Sequence, residues 1–194
     1  MMVKQERAAR TRQALIRAAA EVFTEEGFAL ASLATISRRA GVSRGALHFH
    51  FDNKKVLADA VERQAADVVA RMTGEAEAAG DALDALVAAT HALMSRLASD
   101  IVVRAGFELC GGPTRNTGAA LRWQWQVWVE GTLDRAEREG LLAEGVSSAR
   151  VAPAIVAATV GFEVLGARDP EWLSEERVAR FWELMLPRLV AVAR

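Results

Sequence analysis

The residues of this chain best equipped for chemistry crowd into one short stretch, "GVSRGALHFHFDNKK", residues 41–55. It supplies the Ser43 hydroxyl, the Arg44 guanidinium, two imidazoles at His48 and His50, and the ammonium groups of Lys54 and Lys55. Nearly every one is a hydrogen-bond donor, which suits recognition of an anion. Arg44 and His48 are four residues apart, so a helix places them on one face. A guanidinium there reads guanine through two parallel hydrogen bonds or holds a phosphate. Ser43 can offer its hydroxyl and backbone N–H to phosphate. Lys54, opening the next helix, is expected to direct its charge at the flanking nucleic-acid backbone. Gly45 costs about 1 kcal/mol in a helix interior relative to alanine. Its lack of a side chain would let the backbone approach a phosphate or a base edge closely. A metal site at His48 and His50 is not expected. Their spacing puts them on different sides of a helix, and no third ligand lies nearby. His50 is expected to pack beside Phe49 and Phe51.

The charge distribution points the same way. The 194 residues carry a net charge of −1. Residues 1–55 hold ten Lys/Arg and only five acids, including all three lysines of the chain, so the remainder is net acidic. A basic head on an acidic body is the pattern of a polyanion-binding module joined to a separate scaffold. No Ser–His–Asp set, phosphate-cradling glycine loop or paired carboxylates stand out, and an enzyme is not expected. Cys110 is the only cysteine, which leaves no intrachain disulfide and no cysteine cluster for zinc. It is expected to be a small buried hydrophobe, and no cofactor is implied. His91 stands alone and reads as structural. Mean hydropathy is +0.10. No apolar run approaches the ~18 residues of a membrane span, and "MMVKQERAARTRQ" leads into no apolar signal segment. A cytoplasmic protein without a membrane partner is expected.

Those residues must be held by helices. Alanine and leucine abound, proline occurs only at 113, 153, 170 and 187, and no bounded alternation suggests a strand. The expected fold is all-α, with about nine helices. The first runs over residues 5–26 and ends at Gly27. Ser32 caps a short helix over 33–40, Ser43 caps another over 44–50, and Asp52 or Asn53 caps a long one over 54–78. Helices over 82–98, 101–109, 119–139 and 148–165 follow, with "CGGPTRNTG" as the clearest loop. The last begins at Ser174 and continues to the C-terminus, bent or shortened at Pro187. Two short helices joined by Gly41–Val42 form a helix-turn-helix. Leu33, Ile36, Ala40, Val42 and Leu47 are spaced to lock the pair, freeing the second helix to enter a major groove. The expected division is 1–53 for DNA binding and 54–194 for ligand binding and dimerisation.

The segment "SLATISRRAGVSRGALHFHFDNKKVL" resembles the DNA-binding signature of the TetR family of bacterial repressors, over about residues 7–57. The resemblance implies an all-helical homodimer bound to a palindromic double-stranded DNA operator. The DNA-contacting positions are then Ser32, Ser43, Arg44, Gly45, His48 and Lys54. Three positions depart from the pattern. Arg44 stands for a common Lys, His48 for the usual Tyr, and Lys55 for a common Glu. These bear on which operator is read. Further on, "VVRAGFEL" and the run from Trp125 through "GLLAEGV" resemble the γ-butyrolactone-receptor branch. In that branch a tryptophan aligned with Trp125 lines the ligand pocket.

"LRWQWQVWVEGTL" holds three of the five tryptophans within six residues. On a helix, Leu121, Trp125, Trp128 and Thr132 form one stripe. Such a stripe is either core or the wall of a small-molecule chamber. For a chamber, Trp125 and Trp128 are the aromatic wall. Phe107 and Phe162 close the apolar side, and Thr159 is among the polar groups, with Gln64, Gln124 and Thr132. Trp123 is expected to pack on a neighbouring helix. The helices over 148–165 and from 174 have broad apolar faces, which would be covered partly by a second subunit. The expected function is a repressor released from its operator by a small amphiphilic effector. The alternative is a DNA-binding dimer with no small-molecule input.

Overall fold

The computed structural model describes residues 2–111 and 120–191. Among them are nine α-helices: α1 (Met2–Leu30), α2 (Leu33–Arg39), α3 (Arg44–His50), α4 (Lys54–Ala79), α5 (Ala82–Ser99), α6 (Ile101–Gly111), α7 (Ala120–Arg138), α8 (Ser148–Gly166) and α9 (Glu175–Leu189). The glycine-rich stretch after Cys110 lies mostly outside the described residues.

Helix ends follow the local chemistry. Ser32, Ser43 and Ser174 each accept a hydrogen bond from the backbone N–H three residues on. Asn53, not Asp52, caps α4, its side chain accepting from Val56 N at 3.0 Å. Asp81 and Asp100 cap α5 and α6 in the same way. α1 kinks at Gly27 (φ 76°, ψ 157°) and resumes as far as Leu30. A 3₁₀ turn, Pro170–Leu173, precedes α9 and was not expected; Asp169 caps it and Pro170 opens it. α9 stops at Leu189 rather than at the C-terminus. Pro187 sits in its last turn, and the chain leaves it by pairing Leu142 with Val190.

The chain divides into two compact units, one of Met1–Asp67 with Asp100–Leu121, the other of Val68–Ser99 with Arg122–Arg194. The first is larger than the 1–53 expected for the DNA-binding part. Val102, Ala105 and Leu109 of α6 enter the same core as Leu15, Ile16, Ala19, Val22 and Phe23 of α1, so α6 cannot be separated from it.

In the second unit α7 and α8 run antiparallel, joined by three sets of polar bonds. Arg122 clasps Glu163 through Nε (2.9 Å) and Nη2 (3.0 Å). Trp125 Nε1 donates to Thr159 Oγ1 at 2.8 Å. At the far end Ser148 N donates to Glu137 Oε2 at 2.9 Å. Ser147 makes no side-chain cap, so Glu137 of α7 serves as the cap of α8. The Ser148 hydroxyl and backbone N–H hold the Glu137 carboxyl below its ordinary pKa.

By length and composition α8 could cross a membrane, contrary to the reading of the sequence. Its inner face, however, is committed to the bundle through Ile155, Thr159 and Glu163, all buried. Its outer face leaves Val164 and Leu165 exposed, and the buried line runs through Ala152, Ile155, Thr159 and Glu163.

Candidate nucleic-acid interface

The helix-turn-helix is built from a small sealed core. Ile36 of α2 and Leu47 of α3 are buried, and half-buried Leu33, Ala40 and Val42 pack against the same core. The turn closes with Gly41 N donating to Arg38 O and Val42 N to Ser37 O. Gly41 has φ +67°, a left-handed geometry that costs a residue with a side chain about 1 kcal/mol or more. α3 ends where Phe51 N–H bonds Leu47 O and the Phe51 ring enters the core, with Arg12 over it at 5.5 Å. At the end of α2, Arg39 meets Glu25 of α1 at 2.6 Å. That bond holds the Glu25 carboxyl below its ordinary pKa and the Arg39 guanidinium above its own.

The residues expected to meet DNA divide into two groups. Ser32, Ser43, Arg44, Gly45 and His48 are all exposed. Ser43 Oγ accepts from Ala46 N at 3.1 Å, which leaves its hydroxyl hydrogen available to an acceptor outside the chain. Ser32 Oγ accepts from Thr35 N and shares a bond with Thr35 Oγ1. Arg44 and His48 line a hollow of about 170 Å³ between α2 and α3, with Leu33, Ala34 and Leu47. A Cβ at Gly45 would meet only Ser43 Oγ, at 3.9 Å, so the protein's own packing gives no reason for glycine there.

Lys54 corrects the reading of the sequence. Its ammonium donates to three carbonyls, Phe28 O (2.6 Å), Ala29 O (3.0 Å) and Ala31 O (2.8 Å), and lies 4.7 Å from the centroid of the Phe28 ring. An ammonium has three donors, and all three are used. The kink at Gly27 strands those carbonyls, and Lys54 is the cation within reach. Its side chain therefore turns into the protein.

Phe49, which was not among the expected contacts, is 81% exposed. His50 is half-buried beside it, edge-on at 5.1 Å, and lies 6.4 Å from the Phe51 ring. The sequence signal for Phe49 was available in its spacing. Leu47 and Phe51 fill the inward positions, and residue 49 falls on the opposite side of the helix.

The aromatic stripe is brought together only in part. Trp125 is 1% exposed, with its N–H on Thr159 and its ring stacked on Trp128 (5.2 Å, 29°). Trp128 donates to Glu77 Oε1 at 2.7 Å. Phe162 goes elsewhere, packing on Trp172 (6.3 Å) and edge-on to Phe181 (5.7 Å), against the 3₁₀ turn and α9. Phe107 is buried in the first unit. Trp123 is 62% exposed rather than packed on a neighbouring helix. Two grooves of the second unit, of about 660 and 580 Å³, are lined by residues of α5, α9 and nearby turns and by none of these side chains.

Comparison with known proteins agrees with this architecture. Residues 15–61 match the model of bacterial regulatory proteins of the tetR family. The A-factor receptor protein of Streptomyces griseus is 29% identical over 97% of this chain and 67% of its own length. A crystal structure of a γ-butyrolactone receptor, an ArpA-like protein, superposes with a TM-score of 0.82 at 27% identity, over 96% of this chain and 91% of that one. CprB from Streptomyces coelicolor, a TetR family protein solved in complex with its operator sequence, is 31% identical, with a TM-score of 0.76 over 96% of this chain and 91% of its own. Its relatives are regulators, not enzymes. The chain belongs to the TetR family of DNA-binding transcriptional regulators and is similar to its ArpA-like γ-butyrolactone receptors.

Proposed function

We propose that this regulator is a homodimeric repressor that binds a palindromic operator and is released by a small amphiphilic ligand of the γ-butyrolactone type. The observation that carries the DNA side is the outward face of α3. Ser43, Arg44, Gly45 and His48 lie exposed on a helix whose opposite side is sealed by Leu47. In this reading Arg44 reads a base or grips a phosphate, Ser32 and Ser43 bond phosphate oxygens, and His48 donates alongside them.

Dimerisation is supported by apolar surface in the second unit. Val164 and Leu165 of α8 and Leu184 of α9 are exposed, Leu184 by 73%. A two-fold pairing through these helices would present two copies of α3 to half-sites about one DNA turn, or a multiple, apart.

The effector would meet the wall of Trp125 and Trp128. A lactone carbonyl there would compete with Thr159 for the Trp125 N–H. α4 continues unbroken across the boundary between the units at Asp67 and Val68, and so offers a connection from the body to the head. The ligand shifts the equilibrium only by the difference in its affinity for the two states.

One observation favours the alternative of a DNA-binding dimer without an effector. Trp125 is fully buried and its one donor is already satisfied. Fluorescence anisotropy on duplex DNA from the gene's own upstream region, at fixed salt, tests both readings. Release of bound protein by a γ-butyrolactone or butenolide supports the first. Specific binding that no member of such a panel reverses supports the second.

A further inference from the structure

We infer that Phe49 and Gly45 together form an apolar notch that reads the C5-methyl group of a thymine in each operator half-site. This rests on the reading of α3 as the DNA-reading helix.

Phe49 is 81% exposed, on a helix whose own packing needs are met by Leu47 and Phe51. Its one ring contact on α3 other than through the backbone is the edge of His50. A partner that covers this ring gains the free energy of burying its apolar area, which the fold itself leaves unused. Gly45 precedes Phe49 by one helical turn, so the two share a face. Helical side chains lean toward the N-terminus, over the turn before their own Cα. The Phe49 ring therefore stands as a wall beside the bare Gly45 backbone. The floor is open, since a Cβ built on Gly45 would find only Ser43 Oγ within 4 Å, and no atom of Phe49.

Arg44 and His48, both exposed, flank the notch with hydrogen-bond donors. The natural occupant is a small apolar group set among acceptors. In a major groove that description fits the thymine methyl, which lies beside the O4 acceptor and next to the phosphates. A methyl-sized notch also explains why residue 45 is glycine, which nothing inside the protein requires. An alanine methyl would occupy the place of the thymine methyl.

The test uses the full chain and the tightest duplex it selects from a random-sequence library. Each thymine is replaced in turn by deoxyuridine, which removes the methyl and keeps the base pair. For the unaltered protein, one position per half-site is expected to lose about fourfold in affinity, and about fifteenfold when both half-sites are changed. Phe49→Ala should bind more weakly and lose that sensitivity at that position alone, while Phe49→Leu should retain part of it. Thermal unfolding of both variants should match the parent, because the side chain is exposed. Insensitivity to every deoxyuridine overturns the proposal. So does a sensitivity that survives unchanged in Phe49→Ala. If no duplex is selected over random sequence, the reading of α3 fails first, and that outcome is distinct from these.

Discussion

The outward face of α3 and the tryptophan stripe of α7 are both dense in functional side chains, and they differ in what those side chains are doing. On α3 the donors of Arg44 and His48 are turned to solvent, and the glycine answers to nothing in the protein. On α7 the indole donors of the stripe and the guanidinium beside them are spent. Trp125 bonds Thr159, Trp128 bonds Glu77, and Arg122 is clasped by Glu163. A face with unspent donors and open space is poised for a partner. A face whose polar atoms are matched is already serving the fold, and any ligand there must displace a bond that exists. Substitutions on α3 should therefore change binding and spare stability, and substitutions along the stripe should do the reverse.

The largest expected effect is in the stripe. Trp125→Ala removes a fully buried indole and should cost about 3–5 kcal/mol in urea unfolding. Trp125→Phe retains most of the ring volume and loses the N–H. Thr159 can still donate to the carbonyl of Ile155 or Val156, so the loss should be nearer 1 kcal/mol. Near-equal stability of Trp125→Ala and the parent would mean that the stripe is not core, and would move the weight of evidence to the chamber reading.

Next in size is Arg44→Ala, expected to cost about 1–3 kcal/mol in operator affinity with no change in unfolding midpoint. If Arg44 reads a guanine, discrimination at one base pair falls with it. If it holds a phosphate, all sequences weaken alike and the salt slope drops by about one. Unchanged affinity would remove Arg44 from the interface.

Lys54→Met sharpens the comparison because Lys54 is a basic residue of the head that behaves like one of the body. Losing three charge-assisted bonds to the stranded carbonyls after Gly27 should cost about 1–2 kcal/mol of stability. The salt slope of DNA binding should stay the same. A slope reduced by one, with stability intact, would return Lys54 to the phosphate contacts.

The same contrast explains how far the sequence could be read. Serine and asparagine caps and the fixed turn at Gly41 are local signals, decided within four residues, and the helix-turn-helix was legible from them. The exposure of Ser43, Arg44 and His48 was legible for the same reason, from helical spacing. What escaped depended on residues distant in the chain. Lys54 reaches carbonyls some 25 positions earlier, made available by a kink whose geometry no spacing encodes. Phe162 and Trp125 both suit an aromatic chamber by type. Their partners, Trp172 and Phe181 for one and Thr159 for the other, separate them. The 3₁₀ turn at Pro170 was signalled by Asp169 and the proline but is too short to show periodicity.

Gly45→Ala is the smallest expected effect and separates the two regions most cleanly, because its two consequences have opposite signs. Alanine in a helical position raises helix propensity and restricts the unfolded chain, together about 0.4–1 kcal/mol of added stability. Nothing opposes the gain, since the new methyl meets only Ser43 Oγ at ordinary contact distance. Operator affinity should fall at the same time, because the methyl fills space that the nucleic acid is to occupy. A buried glycine of α6 gives the control. At Gly106 an added Cβ would lie 2.5 Å from that of Ala65, so alanine there should only destabilise. A Gly45→Ala protein that melts higher and binds its operator as well as the parent would show that no DNA atom approaches residue 45. A protein that melts higher and binds worse would locate the reason for this glycine outside the protein.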